Sequence, residues 1–310
     1  MNFITIFSQI LVLFSLILIG YIANKKGIIT KDSNKDFSGL ILNVTLPALI
    51  IKSMQYSFSR EMFGKSMKIL GISLLVYALA ISFSFLITKM SKIEGKEKDV
   101  FQFLLIFPNV GFMGYPVINS IYGEIGVFYT SIFNMIFDLL IWTLGVMIMS
   151  RSSESKNNLK LKKIISTPGL IAVFIGYSLF LLSISLPKPI YDTLNLLGNA
   201  TTPLAMIVVG SILAGSKMDM AFKNVKLTII SFIRLIFIPI CVYFLLRNVL
   251  RLEGLLLGIP VIVFSMPSAA NAAIFATRYD NDHILASQGV FLTTLFSVIT
   301  IPLLIIMLQV

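Results

Sequence analysis

The sequence predicts an all-α polytopic membrane protein with ten transmembrane helices in two inverted five-helix repeats. Three observations support this prediction: an apolar composition, apolar runs long enough to cross a bilayer, and helix-breaking motifs that recur at a nearly constant offset. The 310 residues are 57% hydrophobic and only 13% charged, whereas soluble domains contain about 25% charged residues. A soluble core of this length cannot bury so much apolar surface, so lipid must solvate most of it.

Apolar runs of about 20 residues, the length that crosses a bilayer, occur ten times. They lie at 3–24, 37–56, 66–88, 100–120, 125–149, 167–186, 191–214, 225–248, 254–277 and 284–309. The first run has no basic residue before Lys25, so we expect a retained helix and not a cleaved signal peptide. The polar segment after the fifth run is short enough to be a loop. The predicted organisation is a first repeat over 1–150, a cytoplasmic linker over 151–166 and a second repeat over 167–310.

The basic residues are distributed unequally between the two predicted membrane faces. Of 25 Lys and Arg residues, 17 are assigned to one face and 7 to the other, while Arg234 lies well inside the eighth run. Cytoplasmic loops are enriched in Lys and Arg. Loop 151–163 is therefore predicted to be cytoplasmic and both termini extracellular. The net charge of +11 follows from this topology and from lipid contact, so no nucleic-acid partner is expected.

The pattern N-x-T-x-P occurs twice inside apolar runs. It extends from Asn43 to Pro47 in the second run and from Asn199 to Pro203 in the seventh, 156 residues later. An N-glycosylation site shares the first three letters, but its Asn must lie in an exposed loop. Because each half has five runs, the second half enters the membrane from the opposite side. A motif shared by equivalent runs therefore indicates an inverted repeat.

Runs four and nine, which are also equivalent, are both interrupted by Pro and Gly. Pro108 in run four and Pro267 in run nine lie 159 residues apart. Pro removes a backbone donor and disrupts the preceding turn, and the carbonyls it frees need partners in lipid. A single kink is commonly structural, but paired breaks in matching runs are typical of a substrate site near the bilayer midplane. The candidate binding residues are Asn43, Pro47, Pro108, Asn109, Asn199, Pro203, Pro267, Ser268 and Asn271.

Several segments resemble the auxin efflux carrier family, which includes plant auxin exporters and bacterial malate- or malonate-permease-like proteins. They read LNVTLPALI, FPNVGFMGYPVINSIYG, TTPLAMIVVGSILAG, MPSAANAAIFATRYDND and TLFSVITIPLL, and the resemblance covers essentially the whole chain. It implies ten helices in two inverted repeats, with the broken fourth and ninth helices crossing as in the sodium/proton antiporter and bile-acid transporter folds.

The resemblance further implies a secondary transporter, or permease, that moves a small organic anion across the cell membrane by alternating access. Malate, malonate and an auxin-like acid are the carboxylates it suggests. Plant members have Pro-Asn at both breaks. Here the first break reads Pro108-Asn109, but the second reads Pro267-Ser268, with Asn271 one turn later.

Two charged residues fall inside predicted spans, Asp138 in the fifth and Arg234 in the eighth. An ionised Asp at a helix centre costs about 2.5–3.5 kcal/mol on insertion scales, so Asp138 must face the protein interior or be protonated. It either couples transport to protons or sodium or is a structural hydrogen-bonding group. Arg234 either neutralises a substrate carboxylate, pairs with Asp138 or stabilises backbone carbonyls.

Other classes of protein are less compatible with the composition. One Cys (Cys241) and one His (His283) provide no disulfide, zinc site or histidine-based catalytic group, so neither an enzyme nor a metal is expected. A cation/proton antiporter on the same general fold is the nearer alternative, but it would need acidic residues at the breaks, where this chain has Asn and Ser. The sequence leaves open whether the protein is a non-transporting sensor, whether it forms a homodimer, and whether protons or sodium drive it. No other cofactor is expected.

Overall fold

The computed structural model describes residues 3–152, 167–215 and 221–308, and these residues are almost entirely helical. The α-helices are α1 (Phe3–Lys25), α2 (Lys31–Leu40), α3 (Leu46–Ser53), α4 (Arg60–Met90), α5 (Gly95–Ile106), α6 (Tyr115–Leu140), α7 (Val146–Ser150), α8 (Pro168–Leu181), α9 (Lys188–Gly215), α10 (Val225–Phe232), α11 (Ile238–Phe244), α12 (Gly254–Ser265), α13 (Asn271–Arg278) and α14 (His283–Met307). Wider π-helical turns occupy Ile41–Thr45, Val110–Gly114, Ile141–Gly145, Ile233–Phe237 and Leu245–Val249. The all-α prediction is confirmed for the described residues.

Six helical stretches within the described residues are long and apolar enough to cross a membrane. They are Asp32–Ser53, Arg60–Met90, Val110–Ser150, Lys188–Gly215, Val225–Val249 and His283–Met307. Shorter apolar helices cover Leu11–Lys25, Pro168–Leu181 and Gly254–Ser265. The chain is thus a polytopic membrane protein, while the number of ten spans and their inverted arrangement stay predictions. Most of the predicted linker 151–166, from residue 153 onward, lies outside the described residues.

Local sequence explains where several helices begin and bend. The side chains of Thr30, Asn224 and Asp282 accept hydrogen bonds from backbone N–H groups in the first turns of α2, α10 and α14. Such caps satisfy donors that have no partner inside the helix. Gly123 has φ 64° and ψ −154° within α6, a backbone conformation that favours glycine. It produces a kink between the predicted fourth and fifth runs.

The chain folds into two compact units, each of which takes segments from both predicted halves. The first compact unit comprises Met1–Gly71, Gly111–Met135 and Ile165–Gly215. Inside it, α1 and α9 approach closely at glycines. A Cβ atom on Gly20 would lie 2.0 Å from the carbonyl oxygen of Ile207, and one on Gly210 would lie 1.8 Å from that of Ile17. Small residues permit this backbone approach between membrane helices.

The second compact unit comprises Ile72–Val110, Ile136–Ile164 and Ser216–Val310. Its interior contains an aromatic cluster. The ring centroids of Phe103 and Phe107 lie 4.6 Å apart, those of Phe107 and Phe137 lie 5.9 Å apart, and those of Tyr77 and Phe264 lie 5.0 Å apart. Edge-on and tilted pairs at these distances are favourable. The cluster surrounds the ends of α5 and α12, where both helices are interrupted.

Candidate functional site

The two breaks identified in runs four and nine lie against each other in the second compact unit. Pro108 faces Ser268 in a short antiparallel bridge. The backbone N–H of Asn109 donates to the carbonyl of Pro267 at 2.8 Å, and that of Ala269 donates to the carbonyl of Phe107 at 2.9 Å. We call residues 107–109 and 266–270 the crossed breaks. Their backbone polar groups pair with each other, as non-helical backbone inside a membrane requires.

The position of Pro108 in this bridge follows from its chemistry. Pro has no N–H group, and in an antiparallel pair every second residue position makes no hydrogen bond across the pair. Pro108 occupies such a position, so its missing donor costs nothing there. The N–H of Ser268, opposite, is also turned away from the bridge and donates to the Thr293 hydroxyl of α14 at 3.2 Å.

Two side chains donate hydrogen bonds to carbonyls at the end of α5. The last carbonyls of a helix have no partners within it. The Ser268 hydroxyl donates to the carbonyl of Leu104 at 2.9 Å, and Nη1 of Arg234 donates to the carbonyl of Leu105 at 3.2 Å. Both side chains are fully buried. Ser268 and Arg234, both singled out from sequence, therefore hold the first break in place.

Arg234 lies on the π-helical turn between α10 and α11. Its guanidinium carbon is 5.4 Å from the ring centroid of Phe264, a favourable cation–π distance. Nε and Nη2 have no hydrogen-bond partner among the described residues. Asp138, the other charged candidate, is half-buried on α6 in the same compact unit.

Five of the nine candidate binding residues lie at the crossed breaks or directly after them. Pro108, Pro267 and Ser268 form the crossing, and Asn109 is buried, with 6% of its surface exposed. Asn271 is the first residue of α13 and is half-buried. The structure thus collects polar side chains and the start of one helix at a single place.

The four N-x-T-x-P residues lie in the first compact unit instead. Asn43 is exposed and donates to the carbonyl of Gly39 in its own helix at 2.7 Å. Asn199 accepts a hydrogen bond from Lys52 at 3.0 Å and donates to the side chain of Asn195 at 3.2 Å. Pro47 is the second residue of α3 and Pro203 lies inside α9. The two motifs are equivalent in sequence but bond differently.

Lys52 is a buried cation, although the count of basic residues assigned it to a membrane face. Only 6% of its side chain is exposed, and Nζ lies 3.0 Å from Oε1 of Glu124, the residue after the Gly123 kink. The available signal was the position of Lys52 inside the second apolar run, where a basic side chain needs a partner.

A second buried cluster, which was not predicted from the sequence, joins α5 to the ends of α7 and α13. Asp99, whose side chain is 1% exposed, pairs with Arg151. Arg151 also donates to the side chain of Gln102 at 2.9 Å, while Asn281 donates to Asp99 at 3.3 Å and to the carbonyl of Met149 at 2.9 Å. Asp99 stands one residue before the fourth apolar run, so hydropathy alone treated it as a loop residue. Among the described residues, no group of three His, Cys, Asp or Glu side chains is arranged to hold a metal ion.

Paired helix breaks in a polytopic helical membrane protein are an arrangement typical of secondary transporters. The comparison with known sequences makes this assignment specific: residues 5–160 and 156–305 match the family described as membrane transport protein, and the chain belongs to this family, the auxin efflux carriers.

Relatives span nearly the whole chain. A protein of Methanocaldococcus jannaschii named an uncharacterized transporter is 26% identical, over 95% of this chain and 96% of its own length. The transporter YfdV of Escherichia coli K12, also named uncharacterized, is 26% identical, over 93% of each chain. A protein of Rhizobium meliloti is provisionally named a malonate transporter. It is 21% identical, over 94% of this chain and 92% of its own length.

Proposed function

We propose that this membrane transporter is a permease for a small organic anion, a carboxylate such as malate, malonate or an auxin-like acid. The observation that supports a site in the second compact unit is the pairing of the crossed breaks through Asn109, Pro267, Phe107 and Ala269. Irregular backbone at membrane depth is tolerated where it lines a cavity or is enclosed by protein. In secondary transporters, substrate groups bind at such broken helices.

The chemistry of the crossed breaks favours an anion over a cation. Residues 107–109 and 266–270 contain no Asp or Glu. Their polar side chains are Asn109 and Ser268, and Arg234 adds a positive charge at the end of α5. Amides, hydroxyls and the N-terminal ends of half-helices are suited to anions. A cation/proton antiporter would need acidic ligands here and is not favoured.

The finer architecture is part of the same proposal. The chain has ten transmembrane helices in two inverted five-helix repeats, both termini are extracellular and loop 151–163 is cytoplasmic. The protein operates in the cell membrane by alternating access, in which the site is exposed to one side at a time. The nearly constant offset of the motifs and the bias of 17 to 7 basic residues support this arrangement.

Uptake by proteoliposomes tests the proposed function. The reconstituted full chain is offered radiolabelled malonate, malate and an indole acid, together with a labelled cation and an uncharged amide as controls, with and without proton and sodium gradients. We expect saturable uptake of at least one carboxylate and none of the controls. Uptake of the cation alone would favour the antiporter. Uptake of neither the cation nor any carboxylate would contradict the proposed transport function.

A further inference from the structure

Arg234 is a fully buried charged side chain in a helix that is apolar enough to cross the membrane. Ionisable residues in such positions are expensive and usually mark a path for a substrate or an ion. Arg234 also lies on the π-helical turn Ile233–Phe237, and such turns inside α-helices are frequent at functional sites. Its position therefore needs an explanation beyond helix packing.

Two contacts fix the orientation of the guanidinium group. Nη1 donates to the carbonyl of Leu105 at 3.2 Å, and the guanidinium carbon is 5.4 Å from the ring centroid of Phe264. Leu105 and Phe264 each stand one residue before the last residue of their helix, α5 and α12 respectively. Helix C-terminal ends bear partial negative charge, so a cation is well placed beside both helix ends at the crossed breaks.

These contacts leave one edge of the guanidinium group unused. Nε and Nη2 have no hydrogen-bond partner among the described residues. In a guanidinium group these two nitrogens present parallel N–H bonds on the same side, and the two oxygens of a carboxylate can accept both bonds at once. Leaving buried donors of a charged group unpaired is costly. The edge is therefore complementary to a ligand that supplies two adjacent acceptor oxygens.

We infer that the Nε–Nη2 edge of Arg234 binds a carboxylate group of the transported anion and neutralises its charge inside the protein. This inference rests on the proposed function and assigns one residue to recognition of the carboxylate. The Ser268 hydroxyl, bonded to the neighbouring carbonyl of Leu104, places an uncharged polar group at the same helix end. Because Arg234 is fully buried in this structure, the carboxylate reaches it when the alternating-access cycle opens the site.

The test measures ligand binding to the full chain in lipid nanodiscs. The probes are malonate, malate and an indole acid, each compared with its uncharged amide, and dissociation constants are determined by calorimetry for wild type, R234K and R234Q. Both variants keep a side-chain N–H donor at this position, but neither has the parallel pair of N–H groups. We expect carboxylate binding to weaken about 10- to 100-fold in both variants, with R234K the less affected because it keeps its charge.

R247K is the matched control. Arg247 belongs to the same long helix but is partly exposed and pairs with Glu253 at 2.7 Å, so its replacement should leave the dissociation constants unchanged. Unchanged carboxylate affinity in R234K and R234Q would overturn the inference and leave carboxylate transport intact. Failure of the wild type to bind any carboxylate would instead overturn the proposed function, and the inference with it.

A measurement on the wild type covers the case in which neither variant folds. Arginine labelled with ¹³C and ¹⁵N in the guanidinium group gives isotope-sensitive infrared bands. Addition of a carboxylate that binds should then produce a guanidinium band in the difference spectrum, and its amide should not. Absence of that band with the carboxylate bound would overturn the role of Arg234.

Discussion

Ser268 stabilises the first helix break with a single hydroxyl group. Its Oγ donates to the carbonyl of Leu104, which lies in the last turn of α5 and is surrounded by buried apolar residues. A buried carbonyl that loses its partner costs about 1–3 kcal/mol. At the scale of the residue, the broken helix thus depends on side chains that replace the missing backbone donors.

Replacing this hydroxyl should destabilise the protein. We expect Ser268→Ala to lower the free energy of unfolding by about 1–3 kcal/mol, seen as a lower melting temperature of the purified protein. Ser287→Ala is the control, because the exposed Ser287 hydroxyl donates only to the carbonyl of His283 in its own helix. Equal melting temperatures for wild type and Ser268→Ala would show that the Leu104 carbonyl finds another partner.

The amides beside the breaks should affect transport more than stability. Asn109→Ala and Asn271→Ala each remove an amide that we expect to hydrogen-bond the substrate, and such bonds are worth about 0.5–2 kcal/mol in membrane proteins. We expect weaker substrate affinity, by about 2- to 30-fold, with normal amounts of folded protein in the membrane. Saturation kinetics of uptake in proteoliposomes measure this effect.

Asn248→Ala provides the comparison for these two variants, since Asn248 is exposed on the π-helical turn Leu245–Val249. Its kinetics should match the wild type. Wild-type kinetics in both Asn109→Ala and Asn271→Ala would remove these residues from the binding site.

Sequence reasoning located the crossed breaks but not the buried ion pairs, for a physical reason. Pro108 and Pro267 interrupt a helix by their own covalent chemistry, so their effect is visible in the sequence. Lys52 pairs with Glu124, 72 positions later in the chain, and Asp99 pairs with Arg151, 52 positions later. The environment of each residue therefore depends on a distant part of the chain. Both residues stand near the ends of apolar runs, where hydropathy does not distinguish a buried charge from a solvated one.

At the scale of the element, identical motifs form different local structures. In the first N-x-T-x-P motif, Asn43 and Thr45 lie in the π-helical turn Ile41–Thr45. The second motif lies in α9, an α-helix with Pro203 inside it. The pentapeptide predicted a disturbed helix in both places, but packing against neighbouring helices decides how each helix accommodates its proline.

The pairing of α1 with α9 should be intolerant of added volume. A Cβ atom on Gly20 or Gly210 would lie within 2.0 Å of a backbone oxygen on the other helix, so the helices must separate. We expect Gly20→Ala and Gly210→Ala each to cost about 1–3 kcal/mol of stability, measured by thermal unfolding in detergent.

Gly39→Ala distinguishes this steric effect from a general effect of alanine. A Cβ atom on Gly39 would meet nothing within 4 Å, and alanine is favoured over glycine in a helix by about 0.5–1 kcal/mol. Its melting temperature should be unchanged or slightly higher. A similar loss in all three variants would contradict the role of close packing.

At the scale of the whole molecule, the compact units do not follow the order of the chain. The first compact unit combines Met1–Gly71 with Ile165–Gly215, segments on either side of the central linker. Each unit therefore contains parts of both predicted repeats. The recurring motifs and the central polar loop predicted the two halves, but grouping helices into units requires knowledge of which apolar faces meet.

The orientation in the membrane is predicted by the distribution of basic residues. In a chain with Cys241 replaced by Ser, a cysteine at position 155 of the central loop should react with an impermeant maleimide only after the cells are permeabilised. A cysteine at Ser57, in the connection between α3 and α4, should react in intact cells. The opposite pattern would show that the topology is inverted. The bias of 17 to 7 basic residues would then not explain the orientation.

Energy coupling is also a property of the whole molecule, and Asp138 is the residue we expect to mediate it. It is an acidic side chain well inside the membrane-spanning stretch Val110–Ser150, where it is half-buried. A carboxylate at such a depth is expensive when charged, so binding a proton or sodium ion there can be linked to the state of the carrier. Asp138→Asn preserves the shape of the side chain and abolishes its titration. We expect this variant to lose accumulation of substrate against a gradient and to keep substrate binding and downhill exchange.

Accumulation of a labelled carboxylate under imposed proton and sodium gradients separates these activities. Asp192→Asn is the control, because Asp192 is an exposed acidic residue near the start of α9 and should not affect coupling. If Asp138→Asn accumulates substrate as well as the wild type does, Asp138 is structural, because a side chain that cannot titrate cannot transmit the energy of a proton gradient. If the wild type uses both gradients and Asp138→Asn loses accumulation with only one of them, that gradient identifies the ion that binds at Asp138. Binding of this ion requires the charge of the Asp138 carboxylate.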